Sequence, residues 1–98
     1  MMVQTVHSVT ILAGEKMIVV EKPRVLHRIF FSVQVFASPS EWHEIKISFA
    51  DPQFRSFYVL DGPARYFEAK GGDIFQGDIW AYNISNTNLL YSATEILR

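Results

Sequence analysis

Short apolar runs separated by turn signals are the feature that most restricts how this chain can fold. Gly, Pro, Asn and Asp recur about every ten residues, and the intervening segments are rich in Val, Ile, Phe, Tyr and Trp. β-Branched and aromatic residues favour strands, and short strands at regular intervals are typical of a sandwich or barrel. We therefore predict an all-β protein: an antiparallel β-sandwich, jelly-roll-like, with about eight or nine short strands.

Two alternations carry the strand assignment. In residues 25–37 the odd positions are apolar except His27, which predicts a long strand whose odd residues face the core. Residues 42–49 alternate in the same way, with Ile45, Ile47 and Phe49 directed inward. The alternation alone does not give the strand order, so an immunoglobulin-like sandwich stays open beside the jelly roll.

Turn signals place the other strands. Residues 5–12 and 16–20 flank Ala13-Gly14-Glu15, and this arrangement predicts a hairpin. Four more strands are predicted further along the chain, at residues 57–60, 65–69, 79–84 and 89–97. No linker or repeat interrupts the chain, so a single domain is expected over residues 1–98.

The composition limits both the sources of stability and the classes of partner. Cysteine is absent, which removes disulfides and thiolate zinc sites, so packing and self-association remain. Charged residues make up 19% of the chain, against about 25% in an average domain. The net charge is −1 and the Lys and Arg residues are scattered singly, so the basic patch of a nucleic-acid binder is missing.

The sequence also carries expectations about location. No run reaches the roughly 20 apolar residues of a membrane helix. The first ten residues lack the basic and apolar regions of a signal peptide. We expect a cytoplasmic protein with no membrane partner, or one assembled in a host cytoplasm and released in a particle.

No motif for catalysis or cofactor binding is found. His7, His27 and His43 lack the short spacing of metal ligands, although His27 and His43 could approach each other from neighbouring strands. No nucleophile elbow or dinucleotide-binding glycine motif occurs. The Asp residues lie at turns, where they usually bond their own backbone. We predict no catalytic, cofactor-binding or metal-binding residues and no enzyme activity, and we interpret the glycosylation pattern Asn83-Ile84-Ser85 as chance.

Aromatic residues are the best candidates for an interaction surface. If Ile79 and Ala81 face inward, Trp80 and Tyr82 lie side by side on the outer face of a strand, where they could contact a protein or stack on a sugar ring. The reverse register would bury Trp80 in the core. The residues that could extend the platform are Trp42, Tyr58, Tyr66 and Phe67.

Four features occur in a recognisable order. They are the turn Ala13-Gly14-Glu15-Lys16, the strong strand Leu26-His27-Arg28-Ile29-Phe30-Phe31-Ser32, the Gly77-Asp78-Ile79-Trp80-Ala81 segment, and Ala93-Thr94-Glu95-Ile96 near the end. This order resembles that of small bacteriophage virion accessory proteins, such as head decoration, head-fibre and tail-associated β-sandwich proteins. The resemblance implies a jelly-roll-like protein, located in the virion, assembled as copies on a symmetric particle and without catalytic residues.

These observations give a leading hypothesis and two alternatives. The first is a viral structural protein that forms a homo-oligomer, such as a trimer, and binds a capsid or tail protein. Low charge and strands that are apolar on both faces support it. The second is a carbohydrate-binding module that stacks a glycan on Trp80, Tyr82 and Trp42. The third is a small cupin-like metal protein.

Overall fold

A computed structural model describes residues 2–36, 45–49, 51–60, 66–71 and 73–98. Within these ranges the chain forms eight strands: β1 (Val3–Ile11), β2 (Lys16–Val20), β3 (Arg28–Phe36), β4 (Ile45–Phe49), β5 (Tyr58–Leu60), β6 (Tyr66–Lys70), β7 (Ile79–Asn83) and β8 (Leu89–Leu97). The described residues contain no helix that could cross a lipid bilayer.

The strands form two four-stranded sheets. Sheet A has the order β1-β8-β3-β6 and sheet B the order β2-β7-β4-β5, and every pair is antiparallel. The predicted all-β sandwich is confirmed. In an immunoglobulin-like sandwich the first two strands are neighbours in one sheet, whereas here the first four strands alternate between the two sheets. This is the strand order of a jelly roll.

The predicted hairpin of the first two strands is wrong, because β1 and β2 lie in different sheets. The turn itself is present: the N–H of Glu15 donates to the carbonyl of Leu12 at 3.0 Å, and Gly14 has a φ of +78°. That φ suits glycine. The N–H of Gly14 then donates to the carbonyl of Asn83 at 2.8 Å, which ties the turn to the end of β7. The chain therefore turns a corner between the sheets.

The core lies between the two sheets and is built from alternate residues of the long strands. Phe31, Val33 and Val35 of β3 face inward, as predicted, and are buried. Across the sandwich, Ile79 and Ala81 of β7 are fully buried. Aromatic rings extend this core, and those of Phe49 and Phe75 stack with their centroids 5.3 Å apart.

The long strand predicted over residues 25–37 begins later than expected. Val25 is 93% exposed and His27 is also exposed, so the predicted inward placement of both is wrong. A register shift between Arg28 and Phe30 places an extra residue, Ile29, in β3. A bulge of this kind reverses the alternation, and as a result Arg28 faces inward.

Arg28 is fully buried and joins four segments of the chain. Its Nε donates to Oε2 of Glu95 on β8 at 2.8 Å. Its Nη1 donates to the carbonyls of Phe75 and Gly77, at 2.7 and 2.9 Å. Its Nη2 donates to the carbonyl of Glu21 at 2.9 Å. A buried guanidinium needs such partners to offset its loss of water, so we assign Arg28 a structural role.

Candidate functional site

The outer face of sheet B carries the aromatic pair predicted from the sequence. Ile79, Ala81 and Asn83 of β7 are buried, so the residues between them lie on the opposite face. Trp80 and Tyr82 are half-buried there, in the outward register. On the neighbouring β2, Ile18 pairs with Trp80 and Lys16 with Tyr82.

The loop after β4 folds over Tyr82. Phe54 is only 7% exposed, and its ring meets that of Tyr82 edge-on at a centroid distance of 5.5 Å. The ammonium of Lys16 lies 5.1 Å from the centre of the Tyr82 ring and 5.7 Å from that of Phe54. These contacts occupy part of the Tyr82 ring.

A carboxylate holds this loop in shape. Asp51 accepts hydrogen bonds from the backbone N–H groups of Gln53, Arg55 and Ser56, at 3.1, 2.8 and 3.4 Å. Loss of solvent around Asp51 acts to raise its pKa, but these hydrogen bonds and the charge of Arg55 outweigh it, and the pKa lies below its ordinary value of 3.8. Phe54 adopts a φ of +52° in this loop, which is unusual for a large side chain.

The other predicted aromatic residues do not join this pair in one patch. Phe67 points into the sandwich and packs on the core, with its ring 5.8 Å from that of Phe31, so its predicted place in an exposed platform is wrong. Tyr58 is 52% exposed but lies at the β5 edge, against Phe49 and Phe67. Tyr66 lies on the outer face of sheet A, where its hydroxyl donates to Glu68 at 2.9 Å. Trp42 lies outside the described residues.

The outer face of sheet A has no charged residue over three of its four strands. The outward positions of β1, β8 and β3 hold only apolar, hydroxyl and amide side chains. We call these positions the uncharged face: Gln4, Val6, Ser8, Thr10, Leu90, Ser92, Thr94, Ile96, Phe30, Ser32, Gln34 and Phe36.

Several apolar side chains of the uncharged face are open to solvent. Val6 is 60% exposed, Phe36 52% and Leu90 44%. Phe36 and Leu90 are direct cross-strand partners, so their side chains form one apolar spot. The sequence signal for this face is the absence of charge at alternate positions of three strands. It was visible in the chain, but its meaning depends on which strands are neighbours.

A cleft of about 430 Å³ opens beside β1 and β2. Its lining includes the exposed His7, the cations Lys22 and Arg24, and the carboxylates Glu21 and Glu95. Glu95 is already bound to Arg28, and the cleft mixes both charge signs with apolar groups. This lining selects no single ligand chemistry.

Three further predictions concern the histidines, metal binding and glycosylation. The expected approach of His27 to His43 is untested, because His43 lies outside the described residues. The described residues hold no group of three His, Asp or Glu side chains placed to bind a metal ion.

The amide Nδ2 of Asn83 is buried and donates to the carbonyls of Ile11 and Thr87, each at 2.9 Å, so it is closed to a glycosylating enzyme in the folded protein.

Comparison of the sequence with protein-family models and with curated protein sequences finds no match.

Proposed function

We propose that this domain is a non-enzymatic structural or accessory protein of a virus particle, which self-associates and binds a capsid or tail surface. The observation that carries the proposal is the uncharged face, with Val6, Phe36 and Leu90 exposed on it. Exposed apolar patches rimmed by polar groups mark association sites. Interfaces are depleted in charge at their centre, and this face has none on three adjacent strands.

The size of the uncharged face favours a repetitive partner. Three nine-residue strands cover roughly 30 Å by 14 Å, or about 400 Å². A stable contact usually takes about 800 Å² from each partner. One copy therefore binds weakly, whereas several linked copies on a symmetric particle gain affinity because each binding event raises the local concentration of the next.

The strand order agrees with this proposal. Eight-stranded jelly rolls form the domains of many viral capsids, and they also occur in lectins and cupins. The fold alone does not choose among these functions. The uncharged face supports the viral role over the lectin and cupin roles, because neither sugar stacking nor metal binding requires a sheet surface free of charge.

Sedimentation velocity over a wide concentration range tests self-association. A single species of 11.3 kDa at all concentrations would refute it. Surface binding is tested with immobilised capsid and tail proteins, wherever such genes lie beside the gene of this protein, and with the variant Leu90→Glu. A matched control is Ile18→Glu, on the outer face of sheet B. We expect Leu90→Glu to weaken capture at least about tenfold because it buries a charge in the contact, and Ile18→Glu to leave it unchanged.

A second candidate function is carbohydrate binding through Trp80. The supporting observation is the outward register of Trp80 on a jelly-roll sheet, since an indole ring can stack on a sugar. Screening on a glycan array separates the candidates. Sugar binding that is lost in Trp80→Ala and kept in Leu90→Glu would favour this function over the first.

A further inference from the structure

The two sheets end in four edge strands, and three of them carry features that discourage pairing with another chain. β5 has only three residues within the described part of the chain. β6 has five and exposes Glu68 and Lys70. β2 has five, includes Lys16, and shows a register shift between Ile18 and Val20. Shortness, charge and irregularity are the usual protections of a sheet edge.

The fourth edge, β1, has none of these protections. It runs for nine residues with nine consecutive partners on β8 and no register shift. Its sequence, VQTVHSVTI, contains no Lys, Arg, Asp, Glu, Pro or Gly. No described strand pairs with its other side. A long, regular edge of this kind presents unpaired N–H and C=O groups that another strand can bind.

We infer that two copies of this chain pair through β1, antiparallel and about a two-fold axis, to form one eight-stranded sheet. This inference deepens the proposed function, since it names the contact through which the copies associate. Full overlap of Val3–Ile11 with itself places His7 opposite His7 of the second copy. Val3 then lies opposite Ile11 and Gln4 opposite Thr10, so like meets like at the ends of the strand, whereas Thr5 lies opposite Val9 and Val6 opposite Ser8 nearer its centre.

The partner is a second copy because this pairing also completes the uncharged face. The overlap keeps the outward residues of both strands on the same side of the sheet. Two uncharged faces, of about 400 Å² each, then join into one of about 800 Å², which is the usual contribution of one partner to a stable interface. Pairing of β1 with an unrelated strand would not double the face.

A single cysteine tests the register directly, because the chain contains no other. Opposed residues in an antiparallel pair have Cα atoms about 4.5–5.5 Å apart, within the range of a disulfide. We expect His7→Cys to form a covalent dimer under mild oxidation. Gln4→Cys is the matched control: the two copies of residue 4 would lie about 20 Å apart, so it should not cross-link. A mixture of Gln4→Cys and Thr10→Cys should give the mixed disulfide.

Charge reversal provides an independent test that does not depend on cysteine chemistry. In the inferred register Val6 lies opposite Ser8 of the second copy, twice in each dimer. We expect the double variant Val6→Lys/Ser8→Lys to weaken the dimer at least about tenfold, because like charges directly opposite each other repel. Mixing it with Val6→Glu/Ser8→Glu should restore dimers. Gln34→Lys, on the same face but two strands from the edge, should dimerise normally.

The possible results separate this inference from the proposed function. A wild-type chain that stays monomeric and binds no capsid or tail protein overturns both. An oligomer that is dissociated by Gln34→Lys, with no cross-link at His7→Cys, overturns only the edge pairing and assigns association to the sheet face. A monomer whose β1 binds a neighbouring virion protein overturns the choice of a second copy. Cross-linking at residue 7 but not at residue 4, with rescue by opposite charges, supports the inference.

Discussion

The buried pair of Arg28 and Glu95 gives the sharpest prediction about stability. The variant Arg28→Met keeps much of the side-chain volume but removes the donors that bind Glu95 and three backbone carbonyls. Removing one partner of a buried ion pair costs about 3–5 kcal/mol, because the other charge is left without compensation. A chain of this size has about 5–15 kcal/mol of stability in total, so Arg28→Met should remove a large part of it.

The matched variant Glu95→Gln should be much milder. It keeps an amide oxygen that can accept the hydrogen bond from Arg28 Nε, and it changes a charged acceptor into a neutral one. We expect the free energy of unfolding to fall by about 1–2 kcal/mol. A hydrogen bond to a charged acceptor is stronger than one to a neutral acceptor, and the Arg28 cation loses its counter-charge. The three carbonyl contacts of Arg28 remain in place in this variant.

Combining the two substitutions gives a change of sign that tests the physical reasoning. In the wild-type background Glu95→Gln destabilises, because it weakens a satisfied pair. In the Arg28→Met background it should stabilise by about 1–2 kcal/mol, because it removes a buried charge that has no partner.

Urea unfolding followed by circular dichroism measures all four proteins. With a slope of about 1–2 kcal/mol per molar urea for a domain of this size, Arg28→Met should lower the midpoint by about 1.5–5 M. A loss below about 1 kcal/mol for Arg28→Met would refute the reasoning. So would a double variant less stable than Arg28→Met alone.

Three other predictions concern the loop after β4 and the stacked rings of Phe49 and Phe75. Phe54→Ala should lower stability by about 2–4 kcal/mol in thermal unfolding, because it leaves a cavity over Tyr82; an unchanged melting temperature would contradict the packing of this loop. The pKa of the Asp51 carboxyl is lowered in the folded protein. The ionised carboxyl therefore stabilises the fold above the unfolded pKa of about 3.8, and this stabilisation is lost as the pH falls through the folded pKa. The loop amides should therefore shift in an NMR titration below about pH 4 in the wild type but not in Asp51→Asn. Gly77→Ala would place a methyl group 2.5 Å from the Phe75 ring. We therefore expect urea unfolding to show a loss of stability of about 1–3 kcal/mol. Gly14→Ala is the control for backbone strain, because its methyl group would meet no neighbouring atom.

The sequence by itself determined the class of fold and most strand positions. Alternation with a period of two is a local property, and β2 and the buried residues Phe31, Val33 and Val35 of β3 lie where it predicted them. The alternation left two registers open for Trp80, and the burial of Ile79 and Ala81 in the structure decides for the outward one. The low content of charged residues was also visible in the sequence, and it indicated that the protein associates with a partner.

Only the tertiary structure decided which strands are neighbours, and this changed the meaning of several residues. The first two strands were expected to pair, but β1 bonds to β8, almost the full length of the chain away. The bulge that turns Arg28 inward is stabilised by Glu95 and by carbonyls from distant segments, so no local sequence pattern predicts it. Phe67 is in the core because β6 pairs with β3 in a register set by tertiary contacts.

The uncharged face and the unprotected edge of β1 have the same origin. Each of the three strands looks ordinary alone, and the face exists because β1, β8 and β3 lie side by side. The edge exists because β1 is the last strand of its sheet. Hydrogen bonds between strands link residues far apart in sequence, so local periodicity gives the faces of a strand but not its neighbours.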